Sequence, residues 1–397
     1  MSDQYDDEAR QSAPEGRPPP GAGLDRREFV IRLSSFAAGA AVIELFAVTP
    51  LLAGCEADAD GPLSEGARNA VRVCMGADSD DRVLVATDEG TTSVGDALLR
   101  EAAAVKAAHK LVILEDYGRR PMTELPQRLA DDIRSFAPSV TFFAATARQG
   151  EFPMRREFID LATSELRARH GHMPGITPSI VQEGLSVDYE VVGELTADVH
   201  ERLRGCRSVH VTSSKGTDLV ARFSDTLRWV PCDGSYRESG EWGNLPEGEV
   251  FTCPESVDGV LVADVVGDYF SWRYGILADP VTIEIAGGLA GKISCANRQL
   301  EAELSSYLAS NENGMRVGEF AIGTNIGVRA LSGNLLQDEK IPGVHVAFGH
   351  PNGDLTGASW SSATHVDMIP TECTVYVDEE RLMERGRFIG VKSGASG

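Results

Sequence analysis

Apolar and polar positions change rhythm once along this chain, and the change divides it in two. Arg82–Thr87 is a short apolar run between polar flanks, the pattern of a buried strand. From Val94 to His109 the apolar residues recur at helical spacing, through Leu98, Leu99, Ala102 and Val105. A strand follows at Lys110–Leu114, a helix over Leu125–Phe136, a strand at Val140–Ala144 and a helix over Met154–His170. A further helix over Val191–Leu203 leads into a strand at Ser208–Thr212. Strands that alternate with helices imply a mostly parallel sheet with helices on its faces. From about Asn244 the helical rhythm gives way to short β runs broken by Gly and Asp: Val250–Cys253, Val260–Ala263 and Val281–Ile285. Asp258-Gly259 is a turn signal there, and one helix is expected at about Leu300–Ala309. The expected architecture is an α/β domain over residues 60–240 with a mostly parallel sheet. A β-rich α+β domain over residues 241–397 follows it.

Residues 1–55 do not fit either pattern. The stretch to about residue 23 is polar and rich in Pro, Gly and Asp, with too little apolar surface to order itself. Asp25-Arg26-Arg27-Glu28-Phe29-Val30 then precedes a mild apolar run that ends Leu51-Leu52-Ala53-Gly54-Cys55. The order resembles a twin-arginine export signal followed by a lipoprotein cleavage box. It implies an exported protein held at the membrane by lipid on Cys55, against a cytoplasmic alternative. A permanent membrane span is the poorer reading, because Glu44 near mid-membrane would cost about 2.5–3.5 kcal/mol and Pro50 interrupts the run. The net charge of -23 repels nucleic-acid phosphates, which removes DNA and RNA from the partners to consider. Seven cysteines without a CxxC pair argue against a zinc ribbon and against a disulfide scaffold.

The first domain offers little chemistry. Lys215-Gly216-Thr217-Asp218 lacks the spacing of a phosphate loop. His170-Gly171-His172 follows a basic helix end and precedes Pro174-Gly175, which points to a solvent-facing cap rather than a metal pair. In the second domain, acidic residues and histidines recur at strand ends. His365-Val366-Asp367 sets an imidazole and a carboxylate on one face of an extended segment, a pair suited to Zn²⁺, Co²⁺, Mn²⁺ or Fe²⁺. His345 lies within the apolar strand Gly343–Gly349, Asp338-Glu339-Lys340 just before it, and Glu319 and Glu249 open two further strands. Gly357-Ala358-Ser359-Trp360-Ser361 has Ser where a nucleophile elbow needs its second Gly.

Taken in order, Gly248–Thr252, Gly318–Asn325, Asp338–Lys340, His345–Gly349 and His365–Asp367 resemble the motifs of the aminopeptidase T family. The resemblance implies a dinuclear centre of two divalent ions (Zn, Co, Mn or Mg) held by Glu249, Glu319, Glu339, His345, His365 and Asp367. Glu319 would bridge the ions and serve as general base. The implied activity is removal of N-terminal amino acids from peptides, in a homodimer. One departure stands out: the family has a Tyr shortly after the position of His345, whereas this chain has His350-Pro351-Asn352, so His350 is the substitute donor to consider. Two rivals follow. Relatives of the 2,5-dihydroxypyridine dioxygenase type use one Fe²⁺, which His345, His365 and Asp367 could hold. A lipoprotein that binds peptide or metal without turnover is the other.

Overall fold

The computed structural model describes residues 61–267 and 269–390. The export-like segment and Cys55 lie outside the described residues. The first layer is a five-stranded sheet of β1 (Arg82–Thr87), β2 (Ala108–Ile113), β3 (Val140–Ala144), β4 (Arg169–His172) and, much later, Trp242–Asn244. All its pairings are parallel. Both faces of the central strands are buried, and alternation sorts their side chains. Leu84, Ala86 and Phe143 pack with Leu129 and Ile133 of the helix Gln127–Phe136. Val83, Val85 and Phe142 pack with Val94 and Leu98 of the helix Thr92–Ala104.

The helix expected to reach His170 stops early. Phe152–Asp160 is α-helical, Leu161–Glu165 widens into a π-helical turn, and Arg167 takes a left-handed φ of 58° that redirects the chain into β4. His170 and His172 are therefore not a solvent-facing cap. They lie buried between β3 and Trp242–Asn244. His170 Nδ1 hydrogen-bonds Thr141 Oγ1 at 2.8 Å, and its Nε2 lies 3.2 Å from His172 Nδ1. Burial pushes His170 down to about 3, so it is a neutral imidazole.

The rest of the chain builds two antiparallel sheets. The eight-stranded one contains β5 (Ser208–Thr212), β6 (Asp218–Arg222), Ser256–Ala263, the hairpin Val281–Ala286/Leu289–Ser294, and the C-terminal strands Thr374–Val377, Glu380–Glu384 and Arg387–Phe388. β5 and β6 thus join the antiparallel layer, while Trp242–Asn244 returns to the parallel one. Asp258-Gly259 is no turn: it sits inside the strand Ser256–Ala263. A Cβ on Gly259 would lie 2.2 Å from the Asp218 carbonyl, so glycine here permits a close approach to β6. The turn is the neighbouring Gly287-Gly288, where Gly287 N–H donates to Asp258 Oδ1.

The six-stranded sheet runs Val265–Val266, His365–Ile369, Gly343–Gly349, Val317–Gly323, Glu249–Thr252 and Val230–Cys232. Val209, Val211, Leu219 and Leu261 of the larger sheet share one core with Phe320, Ile322, Val344, Val346, Phe348, Val366 and Met368 of this one. Leu300, Leu304 and Leu308 of the helix Arg298–Ala309 complete it. Among the described residues no helix is long and apolar enough to cross a membrane.

Candidate metal centre

One face of the six-stranded sheet is core; the chemistry stands on the other. Residues directly opposite each other on paired strands share a face. Glu249 faces Gly323, Ala321 faces His345, Glu319 and Asp367 both face Ala347, and Gly349 faces His365. Every charged or imidazole side chain in this array therefore has Ala or Gly as a direct neighbour. The small residues leave the volume in which the large polar ones converge.

Glu319 reaches that face through a β-bulge. Val317 and Glu319 are two apart and would share a face in a regular strand. Val317 lies in the core, and the register shifts between Val317 and Glu319 so that Glu319 lies on the opposite face. Gly318 makes the bulge possible, since a Cβ there would lie 2.1 Å from the Gly349 carbonyl.

His345 Nε2 is the centre of the group. It lies 3.2 Å from Glu319 Oε1, 3.5 Å from Glu249 Oε2 and 3.9 Å from Asp367 Oδ1. His365 Nε2 lies 3.7 Å from the same Asp367 oxygen, and its side chain is 35% exposed, so the site opens on its side. Burial disfavours charge on both His345 and Glu319, but their mutual hydrogen bond and the surrounding charges win. His345 is pushed up to about 9 and Glu319 held down at about 2.

Next to this group lies a second cluster. The ammonium of Lys340 is buried 2.7 Å from Glu247 Oε2, 2.9 Å from Glu249 Oε1 and 2.9 Å from Glu339 Oε1. The Cys232 thiol shares the cluster with Glu247 and Glu249. Burial, reinforced by the neighbouring carboxylates against the pull of Lys340, lifts Glu339 to about 8 and Glu247 to about 7.

The first group fits a metal ion. Glu319, His345 and Asp367 each offer a donor atom, all within 4.8 Å of one another. Glu249 Oε2, which faces His345 Nε2, is buried without a hydrogen-bond partner, which an ion-free protein would not tolerate cheaply. His365 Nδ1 donates to the His350 carbonyl at 3.1 Å, the outer hydrogen bond that metal-bound imidazoles use to present the other nitrogen. The mixed nitrogen and oxygen donors suit a divalent transition ion.

Five of the six ligands anticipated from sequence thus stand on one sheet face. Glu339 comes from the loop before Gly343–Gly349 and meets them through Lys340. The His350 ring accepts from the Asn352 backbone N–H at 3.1 Å. The side chain of Asn352, rather than that of His350, reaches Glu319: its Nδ2 donates to Oε2 at 2.7 Å. Sequence reasoning passed over Asn352, Lys340, Glu247 and Cys232. Asn352-Gly353 carries a turn signal and Lys340 lies inside a quoted motif, but neither feature by itself indicates burial against carboxylates.

A family model described as NicX: 2,5-dihydroxypyridine 5,6-dioxygenase matches residues 190–390. A search of curated proteins finds no match. Among solved structures, the fold is similar to 2,5-dihydroxypyridine dioxygenase from Pseudomonas putida KT2440. The TM-score is 0.61 at 17% identity, over 84% of this chain and 98% of that one. It is equally similar to wild-type AmpT from Thermus thermophilus, with a TM-score of 0.60 at 18% identity, over 83% of this chain and 99% of that one.

Proposed function

Because the chain belongs to the NicX family, we propose that it is a single-metal dioxygenase that opens a dihydroxylated, nitrogen-containing aromatic ring. The observation that carries this reading is the set His345, His365 and Asp367, two imidazole nitrogens turned toward one carboxylate oxygen at 3.9 and 3.7 Å. Two ligands bound about 2.1 Å from one ion can be drawn from such separations by small side-chain movements. Two histidines and a carboxylate leave coordination positions open for substrate and oxygen. A ferrous ion held there would supply the oxygen chemistry by which both atoms of O₂ enter the product as one ring bond breaks.

The chain's own residues do the rest. Glu319 is ionised and held by Asn352, and in this reading it accepts a hydrogen bond from a ring hydroxyl and so orients the ring. The His350 carbonyl fixes His365 with its Nε2 lone pair toward the centre. Core side chains close the opposite sheet face, so substrate enters from the side of His365.

A two-metal aminopeptidase is the second reading. It is favoured by Glu249 and Glu339, which lie beside the first group as the aminopeptidase T resemblance requires, and by the likeness to AmpT. Export, lipid attachment at Cys55 and a homodimer are further proposals, carried by sequence alone.

The test uses the full chain loaded separately with ferrous iron and with zinc. Expected are one iron per chain and oxygen uptake with 2,5-dihydroxypyridine, both lost in His365→Ala, with no release of leucine from a Leu-terminal peptide. Two metals per chain with peptide turnover and no oxygen uptake would overturn the reading in favour of the second.

A further inference from the structure

A cleft of about 770 Å³ lies between the α/β layer and the antiparallel part of the chain. Residues 148–155 form one wall; the helices Tyr269–Tyr274 and Arg298–Ala309 form the other. The volume is that of a small-molecule site, and seams between layers are where such sites gather. We infer that this cleft binds a planar aromatic carboxylate. The inference does not depend on which reaction the metal centre performs.

Aromatic rings come from both walls. Phe152 on the first is 64% exposed and Trp272 on the second is 39% exposed, and Tyr269 and Tyr307 line the space with them. A flat ring between them would remove apolar surface from water on both of its faces and stack offset on indole or phenol.

The charge comes from arginine. The described residues of the lining include Arg148, Arg155 and Arg273 against one acid, Glu303, in a chain whose net charge is -23. Arg273 is fixed in place over the rings of Tyr269 and Tyr274, at 5.8 and 5.4 Å, and pairs with Glu303 Oε1 at 3.3 Å. Glu303 is further engaged by the Tyr274 hydroxyl at 2.8 Å and Gln299 Nε2 at 3.0 Å. Arg155 lies over the Phe152 ring at 5.8 Å and donates to His172 Nε2 at 3.3 Å, which ties this wall to the buried histidine pair. Arg148 differs from both: it is exposed and makes no ion pair or side-chain hydrogen bond with any described residue. Its guanidinium is a planar fork of donors, and a carboxylate is the anion that such a fork meets with two parallel hydrogen bonds. An aryl carboxylate is coplanar with its ring, so a slot that stacks the ring presents the acid edge-on to the fork. A tetrahedral phosphate would not share that plane.

The experiment titrates 2-naphthoate into the full chain and follows tryptophan fluorescence and heat. Expected is one saturable site per chain, with 2-naphthamide, the same shape without the charge, bound about 10-fold more weakly. Arg148→Gln should weaken naphthoate by about 10-fold and leave naphthamide unchanged. Trp272→Leu, which keeps an apolar side chain but removes the indole, should weaken both and abolish most of the fluorescence change. His365→Ala should bind naphthoate as the wild type does, because the metal centre takes no part. Urea midpoints of the two cleft variants should match the wild type, since both side chains reach solvent. Equal affinity for acid and amide, binding unaffected by either cleft substitution, binding lost in His365→Ala, or no saturable binding would each overturn the inference.

Discussion

At the scale of single residues, Asn352 shows how conformation and chemistry are joined. Its φ of 51° is left-handed, a region that Asn visits more readily than other side-chain-bearing residues. In that posture its amide reaches Glu319. Two substitutions separate the contributions. Asn352→Ala loses the donor and also strains the backbone, at a cost of roughly 1–2 kcal/mol. Asn352→Gly loses the donor alone. Both should slow oxygen uptake by about 10-fold, while only the alanine variant should lower the urea midpoint. Full turnover in Asn352→Gly would remove Asn352 from the site. His365 and Asp367 were legible as a pair in the sequence because a strand's two-residue period puts i and i+2 on one face, whereas His345, on another strand, entered only through the motif resemblance. Lys340 was not: a lysine reads as solvated until two distant carboxylates, Glu247 and Glu249, are brought to it by folding.

At the scale of elements, the site depends on strands with two different faces. Gly343–Gly349 carries Val344, Val346 and Phe348 into the core and His345, Ala347 and Gly349 to the site. Ala347→Val adds bulk between Glu319 and Asp367. It should cut metal affinity by 10-fold or more, at an overpacking cost of about 1–3 kcal/mol. Val346→Ala, one position away, should lower stability and leave metal content unchanged. Calorimetric metal titration and chemical unfolding on the same two variants check this; equal metal loss in both would sink it. The strands here were readable because apolar runs bounded by glycine mark them well. The helix read through to His170 was not, because a π-helical turn and a left-handed Arg167 end it without Pro or a usual capping residue. The bulge at Gly318 was equally hidden, since a two-residue period counted along Val317–Gly323 places Glu319 on the wrong face.

At the scale of the whole molecule, the α/β layer followed by antiparallel β structure was legible from the change of rhythm. The sheet membership of β5 was missed although its hairpin partner β6 follows closely; its other partner, Thr374–Val377, lies far along the chain, and pairing across such a distance leaves no local mark. The parallel layer brings its own pH dependence. His170 titrates near 3 when folded and near 6.5 when unfolded. As pH falls below about 6.5 the unfolded chain takes a proton that the native one refuses, so stability declines by roughly 1.4 kcal/mol per pH unit until about pH 3. Above 6.5 the group has no effect. His172, also buried and also held well below its usual value by burial, adds to the same limb, so His170→Gln should make the acid limb between pH 6.5 and 5 shallower without removing it, as read from urea midpoints. An unchanged limb would mean that other groups govern it.

The alternation in the six-stranded sheet also bears on how such a protein changes over time. The residues that decide whether the chain folds and those that decide what it does are interleaved in sequence, yet they project to opposite sides of the same strands. A substitution on the polar side meets alanine, glycine and the buried carboxylates and imidazoles of the site rather than the apolar core. Ligands can therefore be exchanged on one side of the strands while the apolar core on the other keeps its packing. The sheet is a platform on which reaction chemistry drifts without the architecture having to follow.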